Sequence, residues 1–339
     1  MLHRTLLTLV LISGCGRGPA AQSVVEQPVP VTPPVPPELQ QAWDLYPEEQ
    51  RVGHLNRHRK TLPQMWDGHA ADPVASIRLA SGIGNAAWVL FDDHKELSRT
   101  LSLIAEGPLA VVAASDLPAK MPDGDQMVLG SGYYNIACAK AVAGRRDEAV
   151  EDLKRAVRYG YKLFDRMRAD PDMAGILTGE GSDAVWAELS EAAATGVEEK
   201  ADRLMRESPG NVPSLTFRDS EGRTRTLAEF RGRPVSLVFW HGDWNSPHLS
   251  GHAKIQEEFG DRVRVIALHP PRMKSPQTPS LLVGVRPDQD EAEAAFTGLN
   301  IADGTVVVLD VAGRVAAQES FVSRPEVARA VLRRLLSEK

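Results

Sequence analysis

Four of the nine histidines, His241, His248, His252 and His269, gather in one part of the chain, and Asp243 lies among them. His248 and His252 are four residues apart, so on a helix they share one face, as metal-ligating pairs do. With His241 or Asp243 they would supply three or four nitrogen and oxygen ligands of the kind zinc or copper accepts. Two facts weigh against a metal centre. His248 would stand in the first turn of its helix, where the helix dipole disfavours a cation, and no cysteine or second carboxylate reinforces the set. Solvated or packing histidines are the simpler account, and no cofactor is expected.

Other chemistries lack their residues. Cysteine occurs only at Cys15 and Cys138. Ser81-Gly82-Ile83-Gly84 carries two glycines, but it sits in helical sequence and has neither the third glycine nor the preceding strand of a dinucleotide site. No nucleophile elbow or metalloprotease pair is found. The net charge of −6, with both signs mixed along 339 residues, provides no basic field for nucleic acid. With 42% hydrophobic and 25% charged residues the chain can bury a real core and is long enough for two domains.

The first residues point to export. Met1-Leu2-His3-Arg4-Thr5 is a short basic start, Leu6 to Ile12 is apolar, and Ser13-Gly14 leads into Cys15. Seven apolar-rich residues are too few to span a bilayer, which takes about 20. The stretch resembles a bacterial lipoprotein signal. That resemblance implies removal of residues 1–14 and acylation of Cys15, a lipid anchor on the periplasmic side of the cell envelope. Gly16 rather than aspartate follows the cysteine, in keeping with the outer membrane. Residues 15–44 then form a linker, where six prolines between Pro28 and Pro37 favour an extended polyproline stalk roughly 30 Å long.

Residues 45–208 are helical in pattern. Asp72-Pro73 is a helix-start signal between segments 48–69 and 74–105, and an alanine-rich helix from Ser182 ends before Ser208-Pro209-Gly210. Tyr133, Ile136 and Ala137, then Gly144, then Ala149, Leu153 and Ala156 match most signature positions of one unit of about 34 residues, and so this segment resembles a tetratricopeptide repeat. Small Ala149 and Ala156 would let paired helices approach, with Tyr133, Ile136 and Leu153 between them. Lys140 departs from the aromatic expected there, and Tyr161 stands where proline is common. Cys138 reads as a buried structural cysteine, and Trp43, Trp66, Trp88 and Trp186 as packing anchors rather than ligand stackers.

Residues 209–339 alternate strands and helices. A hairpin is predicted over 215–227, strands over 235–240, 263–268, 305–309 and 314–317, and helices over 247–259, 290–297 and 325–335. Arg231-Gly232-Arg233-Pro234, Phe239-Trp240, Trp244, Pro247, and Asp310 with Gly313 resemble the thioredoxin-like fold of the TlpA-like and peroxiredoxin-like families. The whole chain is therefore expected to be multidomain, an all-α tetratricopeptide-like module followed by an α/β thioredoxin-like domain.

In that resemblance Asn245 and His248 occupy the positions of the two redox cysteines. Neither an amide nor an imidazole can form a mixed disulfide, and no cysteine is present in 209–339 to act as a peroxidatic thiolate. One additional residue separates Trp240 from Trp244, and Gly304 replaces the proline these families keep beside the active site. The expectation is a protein or peptide partner and a binding or scaffolding role, without nucleic acid. The alternatives are a thiol-disulfide oxidoreductase or peroxiredoxin relative, or a metal-binding protein using His241, Asp243, His248 and His252.

Overall fold

The structure is a computed structural model and describes residues 34–45, 66, 72–121, 123–240, 246–271, 280–287, 295–296, 304–319 and 325–337. Asp72 opens the helix Pro73–Leu90: its extended backbone and its Oδ1, which accepts the Val74 N–H at 2.8 Å, cap a helix with proline in the first turn. Helices Lys95–Ile104 and Glu106–Ala113 follow, then Asp123–Val142 and Arg146–Arg158, which form an antiparallel hairpin. Gly144 turns that hairpin at φ +73°, a backbone conformation natural to glycine. Tyr133, Ile136, Ala137, Ala149, Leu153 and Ala156 are all buried in one core between these helices.

Position 140 departs from an aromatic for a reason visible in the packing. The buried Lys140 ammonium lies 2.6 Å from Glu106 and 2.7 Å from the equally buried Asp152. Burial alone would lower its pKa, but the hydrogen bonds it donates to Asp152 and Glu106 outweigh this and raise it, so the charge is kept. Removing Lys140 would leave the buried Asp152 carboxylate with Arg155 as its ion-pair partner, at a cost of about 3 kcal/mol.

Among the described residues seven strands form one mixed sheet: β1 (Thr216–Asp219), β2 (Thr224–Thr226), β3 (Val235–Phe239), β4 (Arg264–His269), β5 (Leu282–Val285), β6 (Val306–Leu309) and β7 (Val315–Glu319). Their order is β2-β1-β5-β4-β3-β6-β7. β3 runs parallel to β4 and β4 to β5, whereas β6 is antiparallel to both β3 and β7. Leu237 thus stands between Ile266 and Val307 in the register. Alternation assigns the faces: Val235, Leu237 and Phe239 enter one core with Phe217, Phe230 and Phe296, while Val238 and Trp240 enter the other with Val265, Val306 and Val308.

The sequence reading included the hairpin, β3, β4, β6 and β7 but not β5. The helix predicted over 290–297 lies largely outside the described residues, as does most of 48–69. Leu227 begins a short 3₁₀ turn rather than extending β2, because Thr226 and Glu229 close a capping box there.

Helix Ser182–Arg206 joins the two parts. Val185 and Leu189 in its first half pack into the helical core, while Ala201, Val197 and Leu204 pack beside the sheet. Gly196 is where it crosses the C-terminus of Arg146–Arg158: a Cβ there would stand 2.2 Å from the Arg158 carbonyl oxygen. Four residues on, Lys200 meets Glu319 of β7 at 2.6 Å, both side chains buried at 3% and 4% exposure. Gly196→Val is expected to lower stability by about 3 kcal/mol or more, read as a drop in the denaturant midpoint. Gly175→Ala, where a Cβ meets nothing within 4 Å, should leave it unchanged or slightly raised.

Candidate functional site

At the C-terminal edge of β3 the chain is pinned on both sides. The Trp240 N–H donates to the Leu268 carbonyl at 2.8 Å, Phe239 N–H to Thr305 at 2.9 Å, and Gly304 N–H to Phe239 at 2.7 Å. Gly304 holds φ +85°. A proline at this position could neither donate that N–H nor adopt that angle, so the backbone here requires glycine rather than proline. The Trp240 indole is buried edge-on to the His269 ring, with centroids 6.3 Å apart. His269 Nδ1 lies 2.9 Å from the Pro270 carbonyl, which can only accept, so Nδ1 carries the proton.

Residues 241–252 hold most of the predicted site. His241, Asp243, Trp244 and Asn245 lie outside the described residues, as do the His248 side chain and Cys15. His252 is fully buried on helix Ser246–Phe259. Among the described residues no group of three or more His, Cys, Asp or Glu is placed to hold a metal ion.

Cys138, the only other cysteine, is in the helical part. Its thiol donates to Asp170 Oδ2 at 3.8 Å, and the same oxygen accepts the Tyr134 hydroxyl at 2.6 Å. Burial and the Asp170 carboxylate beside it push the thiol well above its ordinary pKa. It is a poor nucleophile at neutral pH.

These three residues belong to a feature absent from the sequence reading, a cavity of about 320 Å³ between the end of Pro73–Leu90, helix Lys95–Ile104, helix Asp123–Val142 and the segment 166–172. Trp88, predicted to be a packing anchor, is 62% exposed at this cavity, with the Arg166 guanidinium 5.0 Å from its ring centroid. Two other tryptophans read as anchors differ: Trp66 is buried, and Trp186 is half-buried and donates its indole N–H to the Leu177 carbonyl. The one signal that separates Trp88 is its place at the end of its helix, two residues before the last helical residue, Leu90.

The strand order, the parallel β3-β4 pair and the antiparallel β6-β7 hairpin beside it define a thioredoxin-like α/β domain. No family model matches the chain, and no curated protein matches it. Among solved structures it is similar to the pneumococcal exposed lipoprotein thioredoxin Etrx1 of Streptococcus pneumoniae, at 21% identity over 37% of this chain and 98% of that one, TM-score 0.29. The copper-bound ScoI of Bradyrhizobium japonicum is 18% identical over 37% of this chain and 98% of that one, TM-score 0.28. A SCO1/SenC family lipoprotein of Bacillus anthracis is 13% identical over 39% and 99%, TM-score 0.32.

Two measurements follow. The native chain at pH 8 should react with iodoacetamide at Cys138 at least about tenfold more slowly than the chain in urea, by mass spectrometry. If the histidine cluster holds a metal, zinc or copper should remain stoichiometric after dialysis and be lost in His248→Ala with His252→Ala; elemental analysis showing no retained metal removes the metal centre.

Proposed function

We propose that this chain is an exported, lipid-anchored relative of the thiol-disulfide oxidoreductases whose thioredoxin-like domain binds a protein or peptide and does not exchange thiols. The observation that carries the reading is the pairing of a thioredoxin-like sheet with a sequence that has no cysteine from 209 to 339. Exchange requires an attacking thiolate and a resolving thiol, and Asn245 and His248 supply neither. Cys138 cannot stand in for them. It lies on the helix Asp123–Val142, its thiol is held by Asp170, and its ionisation is opposed by burial.

Three features support a binding role. The sheet is intact where the active edge of an oxidoreductase would be, with Trp240 and Gly304 fixed by backbone bonds, so a shaped surface persists without the chemistry. The helical part contains a pair, Asp123–Val142 and Arg146–Arg158, that resembles a tetratricopeptide repeat, and stacked helical pairs present concave surfaces to peptides. Cys15 and the proline-rich linker would tether both parts to the cell envelope. Among the described residues no helix is long and apolar enough to cross a membrane.

The second reading, an active oxidoreductase relative that borrows its thiol from a partner, draws on the same sheet. Insulin reduction with dithiothreitol separates the two. The full chain should match the protein-free blank, and a rate above blank overturns the redox-inactive reading. Asn245→Cys with His248→Cys is expected to restore measurable reduction, because the sheet that positions such a pair is in place. Failure of that double variant to form an intramolecular disulfide would sink the assignment of these two positions.

A further inference from the structure

The lining of the helical cavity distinguishes charges that are spent from charges that are not. Arg99 donates through one nitrogen to Asp172 at 2.8 Å and through another to Glu96 at 2.8 Å, so its charge is neutralised. Asp170 keeps its negative charge, but its two oxygens are taken as acceptors by the Tyr134 hydroxyl and the Asp172 backbone N–H. Arg166 and Lys95 differ from both. Among the described residues no carboxylate lies within 4.0 Å of either. Each rests instead on an aromatic face at the cavity, Arg166 at 5.0 Å from the Trp88 centroid and Lys95 at 5.7 Å from that of Phe91.

Those two rings are large apolar surfaces left partly in water, Trp88 at 62% and Phe91 at 37% exposure. Exposed aromatics beside a concavity mark a ligand surface more often than isolated exposed residues do. The Arg166 guanidinium lies over the Trp88 ring, and among the described residues its N–H groups make no hydrogen bond, which leaves its fork of donors to take a carboxylate through two parallel hydrogen bonds. Asn135, half-buried in the same lining, makes no hydrogen bond among the described residues and offers both a donor and an acceptor, as an amide-bearing ligand requires.

We propose that this cavity binds a carboxylate attached to an apolar, preferably aromatic, amino-acid residue. The carboxylate sits on Arg166 within the positive field of Lys95. The apolar group lies along Trp88, Phe91 and Ala139. Asp170 in the lining repels the anion and so sets its orientation, and Asn135 takes the ligand's amide. The volume of about 320 Å³ suits one residue of this kind, at the small end of ligand sites. This chemistry is presented both by a free N-acylated amino acid and by the end of a polypeptide. The proposal stands apart from the reading of the thioredoxin-like domain, whose failure would leave it intact.

Calorimetric titration of the full chain in detergent tests it, with three probes: N-acetylphenylalanine, its primary amide, and N-acetyl-Ala-Ala-Phe with a free carboxylate. The acid should bind at least tenfold more tightly than the amide. Arg166→Gln should weaken the acid at least tenfold without affecting the amide, Lys95→Gln should weaken it less, and Trp88→Ala should abolish binding of both. Arg166 and Lys95 are exposed, so the unfolding midpoint of these variants should equal that of the parent. Arg166→Lys, which keeps the charge but not the fork, should recover only part of the loss. Tighter binding of the tripeptide than of the single residue identifies a chain end as the source, and equal binding a free acid; both support the proposal. Equal affinity for acid and amide, an unaffected Arg166→Gln, or no binding by any probe overturns it.

Discussion

At position 196 the backbones of two helices approach until no side chain fits between them, and much of the assembly depends on that contact. The Arg158 carbonyl lies where a Cβ would stand, so helix Ser182–Arg206 is held against the C-terminus of Arg146–Arg158 at a distance only glycine permits. From that crossing the helix extends in both directions, with Leu189 in the helical core before it and Ala201 against the sheet after it. Lys200 and Glu319 then fix the rotation of its second half relative to β7. Ion pairs at Lys162–Glu326 and Arg334–Glu198 lie outside the apolar seam and are exposed enough to contribute little.

Two buried ammonium groups, Lys140 and Lys200, are set into otherwise apolar surroundings. Neither is an efficient source of stability, because desolvation offsets most of the attraction between ions taken out of water. What such pairs impose is discrimination. A register in which Lys140 missed Glu106 and Asp152, or Lys200 missed Glu319, would strand a charge in the core.

Much of the α/β architecture was legible because its signals are local and strong. Val235 to Phe239 is an apolar run broken only by the small Ser236, and such a run buried on both faces belongs in the middle of a sheet. Asp72-Pro73 reads as a helix start on chemistry alone. β5 was not legible: Leu282–Val285 is four residues, and its pairing with both β4 and β1 comes from distant sequence. Gly304 was seen as a departure, but not the hydrogen bond to Phe239 that makes glycine suit the position. The cavity was the least legible feature. It draws on residues 88, 91, 95, 135, 138, 166 and 170, which no periodicity connects, and Trp88 resembles the other tryptophans until the fold exposes it.

The helix that serves two cores also limits how the gene can be divided. A cut at Ser208-Pro209-Gly210 falls in the irregular segment after the helix, the customary place to separate modules, yet it would remove Ala201 and Leu204 from beside Val306, Val308 and Ala317 and leave Glu319 without Lys200. A cut before Ser182 would instead take Val185 and Leu189 from the helical core. The two parts are therefore not interchangeable cassettes. Recombination that exchanged either for a homologous unit would have to carry half of a foreign helix with it, and the compatible joints lie within that helix, near Gly196, rather than in the loop after it.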